Sequence, residues 1–366
     1  MGVPEKIKQI KEEIARTQIN KATEHHLGLL KAKLAKLRRE QEDNQSKGSG
    51  GGGDGYAVKK SGDATVVLIG LPSVGKSTLL NSVTNSRSKV GGYSFTTLTV
   101  VPGIMEYRGA KIQILDLPGI IAGASQGKGL GKRVLSVARN ADLILLMLDV
   151  FHPEVRPLLL KELRDIGIRP DEEPPNVVIE KASAGGINVV TQVPLTRIKK
   201  ETITDILGVY GYHNARVMIR EDVNDEQIID VLLGNRVYVP TLTMLNKIDM
   251  LEPEQLKQLL DSLPYSVRPI SADGKINIAE FKEELYQQLE FIRIYMRPKS
   301  RKTDYTEPLI IRAGATVGDV CDTLHRGLRN EFKYAQVWGH SVRFGGQKVG
   351  LSHHLTDEDV LTFVVN

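Results

Sequence analysis

"GLPSVGKST", residues 70–78, decides the fold. It follows a run of strand length, "ATVVLIG" (64–70), and opens onto "LLNSV", which has the look of a helix. Gly70 and Gly75 leave the backbone free to wrap an anion with successive N–H groups, and the N-terminus of the following helix adds its dipole. Leu71, Pro72, Ser73 and Val74 make the turn between them. Lys76 is placed to reach the β- and γ-phosphates of a nucleotide and Ser77 to give its hydroxyl to Mg²⁺, with Thr78 as the last residue of the loop.

A strand, phosphate loop and helix in succession belong to an α/β parallel sheet, and the chain from residue 64 onward reads that way. "KIQILD", "DLILLMLDV", "PTLTMLN" and "YSVRPIS" are further apolar runs of strand length, each closing in a turn or loop. The stretch between Gly119 and Asn246 is much longer than the roughly 45–60 residues that two helix–strand units need. The surplus is an inserted α+β subdomain at residues 172–238, in which no chemistry is visible. Parallel-sheet segments of the phosphate-loop domain at 63–171 and 239–296 therefore flank it, the second ending in a helix, "NIAEFKEELYQQLEFIRIY". After the basic stretch "MRPKSRKTDY", residues 303–366 read as a small unit with one helix, "TVGDVCDTLHRGL", over a mixed sheet.

Ahead of the sheet, Ile7, Ile10 and Ile14, then Leu27, Leu30, Leu34 and Leu37, recur at helical spacing. Residues 1–47 are expected to form a hairpin of two amphipathic helices, with a face rich in Lys31, Lys33, Lys36, Arg38 and Arg39. Glycine-rich residues 48–62 are the linker.

Hydrophobic residues make up 41% and charged residues 25%, the composition of an ordinary globular protein. The single cysteine, Cys321, excludes an internal disulfide framework and reads as a core residue. The first residues carry charges every few positions, unlike a signal peptide, and Lys6 stands where a myristoylation start has Ser or Thr. No run approaches 18 apolar residues, so neither a membrane partner nor a membrane span is expected and the location is cytoplasmic. The net charge of +5 fits either a solvated surface or an anionic partner such as RNA.

Four further stretches give the loop its context. In "DLPG" (116–119), Asp116 is placed to hold Mg²⁺ and the Gly119 N–H to sense a γ-phosphate, with Pro118 between them. In "NKID" (246–249), the Asp249 carboxylate can accept from both the N1–H and the N2 amine of guanine, groups that adenine lacks. Asn246 would brace that loop, and the stem of Lys247 would cover the base. "SAD" (271–273) supplies Ser271 and the Ala272 N–H, which would meet the guanine O6. In "YSFTTLTV" (93–100), Thr97, in preference to Thr96, can close the Mg²⁺ sphere when a γ-phosphate is present, with Phe95 beside them. In their order along the chain (70–78, 93–100, 116–119, 246–249, 271–273), these stretches point to a guanine-nucleotide switch whose catalytic set is Lys76, Thr97, Asp116 and Gly119. The intact "NKID" argues against an ATPase. Where many GTPases follow this glycine with a glutamine that orients water, this chain has Ile120.

"YSFTTLTVVPG", "KIQILDLPGII" and "GASQGKGLGKRVLSVAR" resemble the Obg-related GTPases, and among them the developmentally regulated GTP-binding (DRG) family. The opening "EEIARTQINKATEHHLGLLKAKLAKLRRE" and the closing "EFKYAQVWGHSVRFGGQKVGLSHHLTDEDV" resemble the same family, so the likeness covers nearly the whole chain. Ser94, Leu130 and Lys132 depart from the residues expected there. The resemblance implies an N-terminal helical domain, a P-loop GTPase domain with an inserted subdomain, and a C-terminal TGS domain of β-grasp fold. It also implies GTP hydrolysis in association with translating ribosomes, and a DRG family regulatory protein as partner; DNA is not expected as one. K⁺ is a second candidate cation, with Ser73 standing where K⁺-using GTPases have asparagine. The competing reading is a scaffold in which bound GTP is structural and its hydrolysis incidental.

Overall fold

The apolar runs at 64–70 and 143–149 become the two central strands of a six-stranded sheet. The structure is a computed structural model that describes residues 2–18, 20, 22–48, 62–84, 101–117, 137–298, 303–325 and 327–365. It divides into two units, Met1–Gly55 with Glu172–Tyr238, and Tyr56–Asp171 with Val239–Asn366.

The sheet lies in the second unit. Its strands are β1 (Ala64–Gly70), β2 (Val101–Tyr107), β3 (Ala110–Asp116), β4 (Leu143–Asp149), β5 (Thr241–Asn246) and β6 (Arg268–Pro269), in the spatial order β6-β5-β4-β1-β3-β2. All neighbours are parallel except β2, which runs antiparallel to β3. Every residue of β1 and β4 is buried, as expected of strands covered on both faces, and this is why they read as unbroken apolar runs. β6, at the edge of the sheet, is shorter than the run "YSVRPIS". Because the strands are parallel, Gly70, Asp116, Asp149 and Asn246 all end them at one edge.

Helix Lys76–Val83 buries Leu79, Leu80 and Val83 against the sheet, and helix Ile278–Gln288 buries Phe281, Leu285 and Tyr286 in the same core. That second helix is shorter than its sequence suggests. Glu290 takes a left-handed φ of 52°, and the following Phe291–Met296 is a strand. It pairs antiparallel with Leu309–Arg312 and parallel with Val360–Val365, as part of a five-stranded C-terminal sheet. The run "EFIRIY" is apolar enough to extend the helical pattern, but its β-branched and aromatic side chains suit a pleated surface better. Helix Val317–Leu324 covers one face of this sheet, packing Val317, Val320 and Cys321 against Ile292, Ile294 and Leu361.

In the first unit, helices Val3–Arg16 and Glu24–Gly48 form a hairpin. Behind the second helix, a three-stranded sheet (Val177–Lys181, Ala215–Ile219, Ile187–Thr191) packs against helices Lys200–Val209 and Asp225–Leu233. Ala32 sits in the core with Ile203, Leu207, Val217 and Ile228. The basic face of the hairpin is largely engaged. Lys36 Nζ donates to the Val209 carbonyl at 2.8 Å and Arg39 Nη1 to the Leu233 carbonyl at 2.9 Å. Both carbonyls end helices, where cations complement unsatisfied acceptors and the negative end of the dipole. Lys31 pairs with Asp225 and Glu226 in the first turn of helix Asp225–Leu233, at 3.0 and 3.1 Å. Among the described residues, no helix is long and apolar enough to cross a membrane.

Candidate functional site

The loop from Leu71 to Gly75 turns the chain from β1 into helix Lys76–Val83, through left-handed backbone at Ser73 (φ 63°) and Gly75 (φ 97°). A side chain at Gly75 would also strike the Asn246 amide, and one at Gly70 would strike the Met147 carbonyl of β4. Both glycines are therefore demanded by close approach. Val74 is buried, while Pro72, Ser73, Ser77 and Thr78 face solvent. Among the described residues no side chain caps the start of the helix, whose first N–H groups are open to an anion. Lys76 folds back over the loop, its ammonium donating to the Gly70 carbonyl at 3.0 Å and the Leu71 carbonyl at 2.8 Å. Burial holds the Lys76 amine below its ordinary pKa, partly offset by Asp116.

Asp116 ends β3 and is buried. Its Oδ2 accepts from the Ser77 hydroxyl at 3.3 Å, but its Oδ1 is buried without a hydrogen-bond partner among the described residues. Burial pushes the carboxyl above its ordinary pKa, with Lys76 and Ser77 pulling it back only in part. A buried carboxylate oxygen with no donor beside an exposed hydroxyl is a hard-oxygen pair that fits a small divalent cation such as Mg²⁺.

The other side of the site is organised by Asn246. Its side-chain amide donates to the Val74 carbonyl at 2.7 Å, and its Oδ1 accepts the Ala272 N–H at 2.9 Å. One buried side chain thus ties the phosphate-type loop to the loops after β5 and β6. The Ala272 N–H, which the sequence reading aims at a base, is engaged by Asn246 here, because the tight turn after β6 brings it onto that side chain. Ser271 is fully buried and accepts the Gly274 N–H at 2.8 Å, closing the turn. Lys247 adopts a left-handed φ of 65°, and Asp249 follows it, exposed, in the short turn Ile248–Met250.

The structure brings Gly70 to Thr78, Asp116, Asn246, Lys247, Asp249, Ser271 and Ala272 to one edge of the sheet. Phe95, Thr96, Thr97, Pro118, Gly119 and Ile120 lie outside the described residues. The motifs missed Asp149, whose carboxylate at the end of β4 accepts the Lys247 ammonium at 2.9 Å. The only sequence signal for it is an aspartate closing an apolar strand.

Three family models cover the chain from residue 65 onward with small gaps. One described as a 50S ribosome-binding GTPase matches residues 65–181, the C-terminal region of that domain matches 184–291, and a TGS domain matches 292–365. Over its whole length the chain is 55% identical to an uncharacterized GTP-binding protein of Methanocaldococcus jannaschii, covering 93% of that protein. It is 48% identical to developmentally-regulated GTP-binding protein 2 of Homo sapiens, covering 100% of both chains. Against developmentally-regulated GTP-binding protein 1 of Xenopus laevis it is 46% identical, covering 99% of both. With the loop after β1 tied by Asn246 to the loops after β5 and β6, the chain belongs to the developmentally regulated GTP-binding protein family, and it is a GTP-binding GTPase.

Proposed function

We propose that the protein is a slowly hydrolysing GTP switch that acts with translating ribosomes. The observation that carries the nucleotide reading is the Asn246 amide, which makes the phosphate loop and the two base-side loops one rigid cradle. In that cradle the N–H groups after Gly75 and the Lys76 ammonium take the β- and γ-phosphates, the ammonium leaving the Gly70 and Leu71 carbonyls to do so. Ser77, Asp116 and Thr97 hold Mg²⁺, and the unpartnered Asp116 Oδ1 supports this assignment. The ion, when bound, neutralises charge on the phosphate oxygens. Gly119 and Thr97 report the γ-phosphate, Phe95, Thr96 and Pro118 flank it, Asp249 reads the guanine edge, and Ser271 and Ala272 shape the loop beneath the base.

Ile120 can neither donate nor accept a hydrogen bond, so no side chain directly after Gly119 orients the attacking water, and turnover by the chain alone is slow. The family description of residues 65–181 and the TGS domain support the ribosome as the source of stimulation, and family membership supports a DRG family regulatory protein as a second partner. Steady-state GTP hydrolysis with and without purified ribosomes tests this, with Lys76→Ala as the blank. Acceleration toward the 10³–10⁵ that a trans-acting group supplies is the expected result. Unchanged turnover would favour the scaffold reading.

K⁺ is proposed as an additional stimulating cation, with the Ser73 hydroxyl as ligand. Its left-handed backbone places Ser73 at the exposed rim of the loop. Turnover should be faster in K⁺ than in Na⁺ buffer; equal rates dispose of the idea.

A further inference from the structure

Asp149 lies outside every nucleotide-binding motif in the sequence, yet its carboxylate is buried and fully engaged. Oδ1 accepts the N–H groups of Phe151 at 3.2 Å and His152 at 3.1 Å and faces His152 Nδ1 at 3.3 Å. Oδ2 accepts the Lys247 ammonium at 2.9 Å. Burial alone would push this carboxyl up, but the Lys247 ammonium, His152 and the Phe151 N–H outweigh it and hold it below the ordinary carboxylate range. Asp149 and Asn246 are register partners on adjacent parallel strands, so this ion pair joins two strand ends at the edge where the base-side loops begin.

Both ends of Lys247 are therefore fixed. Its backbone is set by the left-handed turn out of β5. Its ammonium is held by Asp149 and lies 5.7 Å from the centroid of the exposed Phe151 ring. A lysine side chain released from such an anchor would spread over many rotamers, most of which present no continuous apolar stem to a ligand. We infer that Asp149 is a positioning residue for guanine nucleotides, which by holding the Lys247 ammonium fixes the Lys247 stem as the plate against which the base lies. This rests on the base-site reading above and adds to it a residue at the end of the adjacent strand, outside the recognised motif.

The test uses the full chain and a fluorescent guanosine diphosphate whose release is followed by stopped flow. Asp149→Asn keeps an acceptor for the Phe151 and His152 N–H groups and replaces the charged acceptor of the Lys247 ammonium with an amide NH2 that cannot accept. Release is expected to quicken by about tenfold, the scale of one charge-assisted bond. Hydrolysis of GTP already bound, measured in a single turnover, should change by less than about threefold, since the lesion is at the base and not at the phosphates. Lys247→Met keeps an apolar stem and lacks the ammonium; it should quicken release to a similar degree, and the double variant should release no faster than the faster single one. Should Asp149→Asn fail to fold, Lys247→Met removes the same pair from a partly exposed side chain and gives the same reading. Multiplicative effects in the double variant, release at the wild-type rate, or hydrolysis slowed as much as release is quickened would each overturn the inference. Guanine release unaltered by Asp249→Asn would overturn the base-site reading and this inference with it. A normal Asp249→Asn effect with an inert Asp149→Asn would overturn this inference alone.

Discussion

Asp249→Asn is expected to exchange guanine for xanthine, shifting the ratio of affinities for GTP and xanthosine triphosphate by about 10⁴. The carboxylate can accept two hydrogen bonds, from the N1–H and the N2 amine of guanine. An amide in the same place accepts one and donates one. Its donor then faces the N2 amine, leaving both unpaired against a competing solvent, a loss comparable to that of a base lacking the recognised group. Xanthine carries a carbonyl at position 2, so the same amide pairs with both of its groups. Because Asp249 lies exposed in the turn Ile248–Met250, the substitution disturbs no packing, and the folded chain should be as stable as the wild type. Competitive displacement of a fluorescent guanine nucleotide by each triphosphate measures the ratio. A variant that weakens both equally, or still prefers GTP, would show that Asp249 does not read the base edge.

Much of this architecture is legible because burial on both faces leaves a mark in composition. β1 and β4 are dominated by Val, Ile and Leu, as strands buried on both faces are. The residues that end the runs, Gly70, Asp116, Asp149 and Asn246, are visible too, and a parallel sheet presents such ends at one edge. Periodicity fails where two elements are fused without a break. From Ile278 to Met296 the apolar residues satisfy a helix throughout, and only the left-handed Glu290 separates helix from strand. A preference for φ > 0 at a glutamate has no sequence signature.

The basic face of the N-terminal hairpin shows a second limit. Composition counts Lys36 and Arg39 as surface charge, but their partners, the last carbonyls of helices Lys200–Val209 and Asp225–Leu233, lie far along the chain. The same distance hides the ion pair of Asp149 with Lys247. It also hides the engagement of the Ala272 N–H by Asn246, so that a residue type suited to a base is found bonded to a neighbouring side chain. Motifs name the residues that a ligand needs; the side chains that hold those residues in place are set by tertiary contacts and leave little trace in sequence.

Asp116→Asn should stabilise the nucleotide-free chain while cutting Mg²⁺-dependent GTP hydrolysis by about 10²–10³, the cost of removing one preorganised electrostatic group. The two effects share a cause. Asp116 is buried with one oxygen unpartnered among the described residues, and its carboxyl is raised above the ordinary value of 3.8. The folded state then binds the proton more tightly than the unfolded chain does. Ionisation at neutral pH therefore costs folding stability, a cost that builds as pH rises through the raised value and vanishes below the unfolded one. Asparagine is neutral throughout and keeps an acceptor for the Ser77 hydroxyl. In chelator-treated protein its melting temperature should exceed that of the wild type at neutral pH, with the gap closing as pH falls. Adding Mg²⁺ and GTP should reverse the order, because a ligand that binds only the folded state stabilises in proportion to its affinity and the wild type has the greater gain. A carboxylate kept buried with one oxygen lacking a donor, at the expense of stability, is what a cation site would require. A nucleotide-free Asp116→Asn that melts below the wild type would mean that Asp116 already has its partner in the folded chain, and the metal assignment would fall with it.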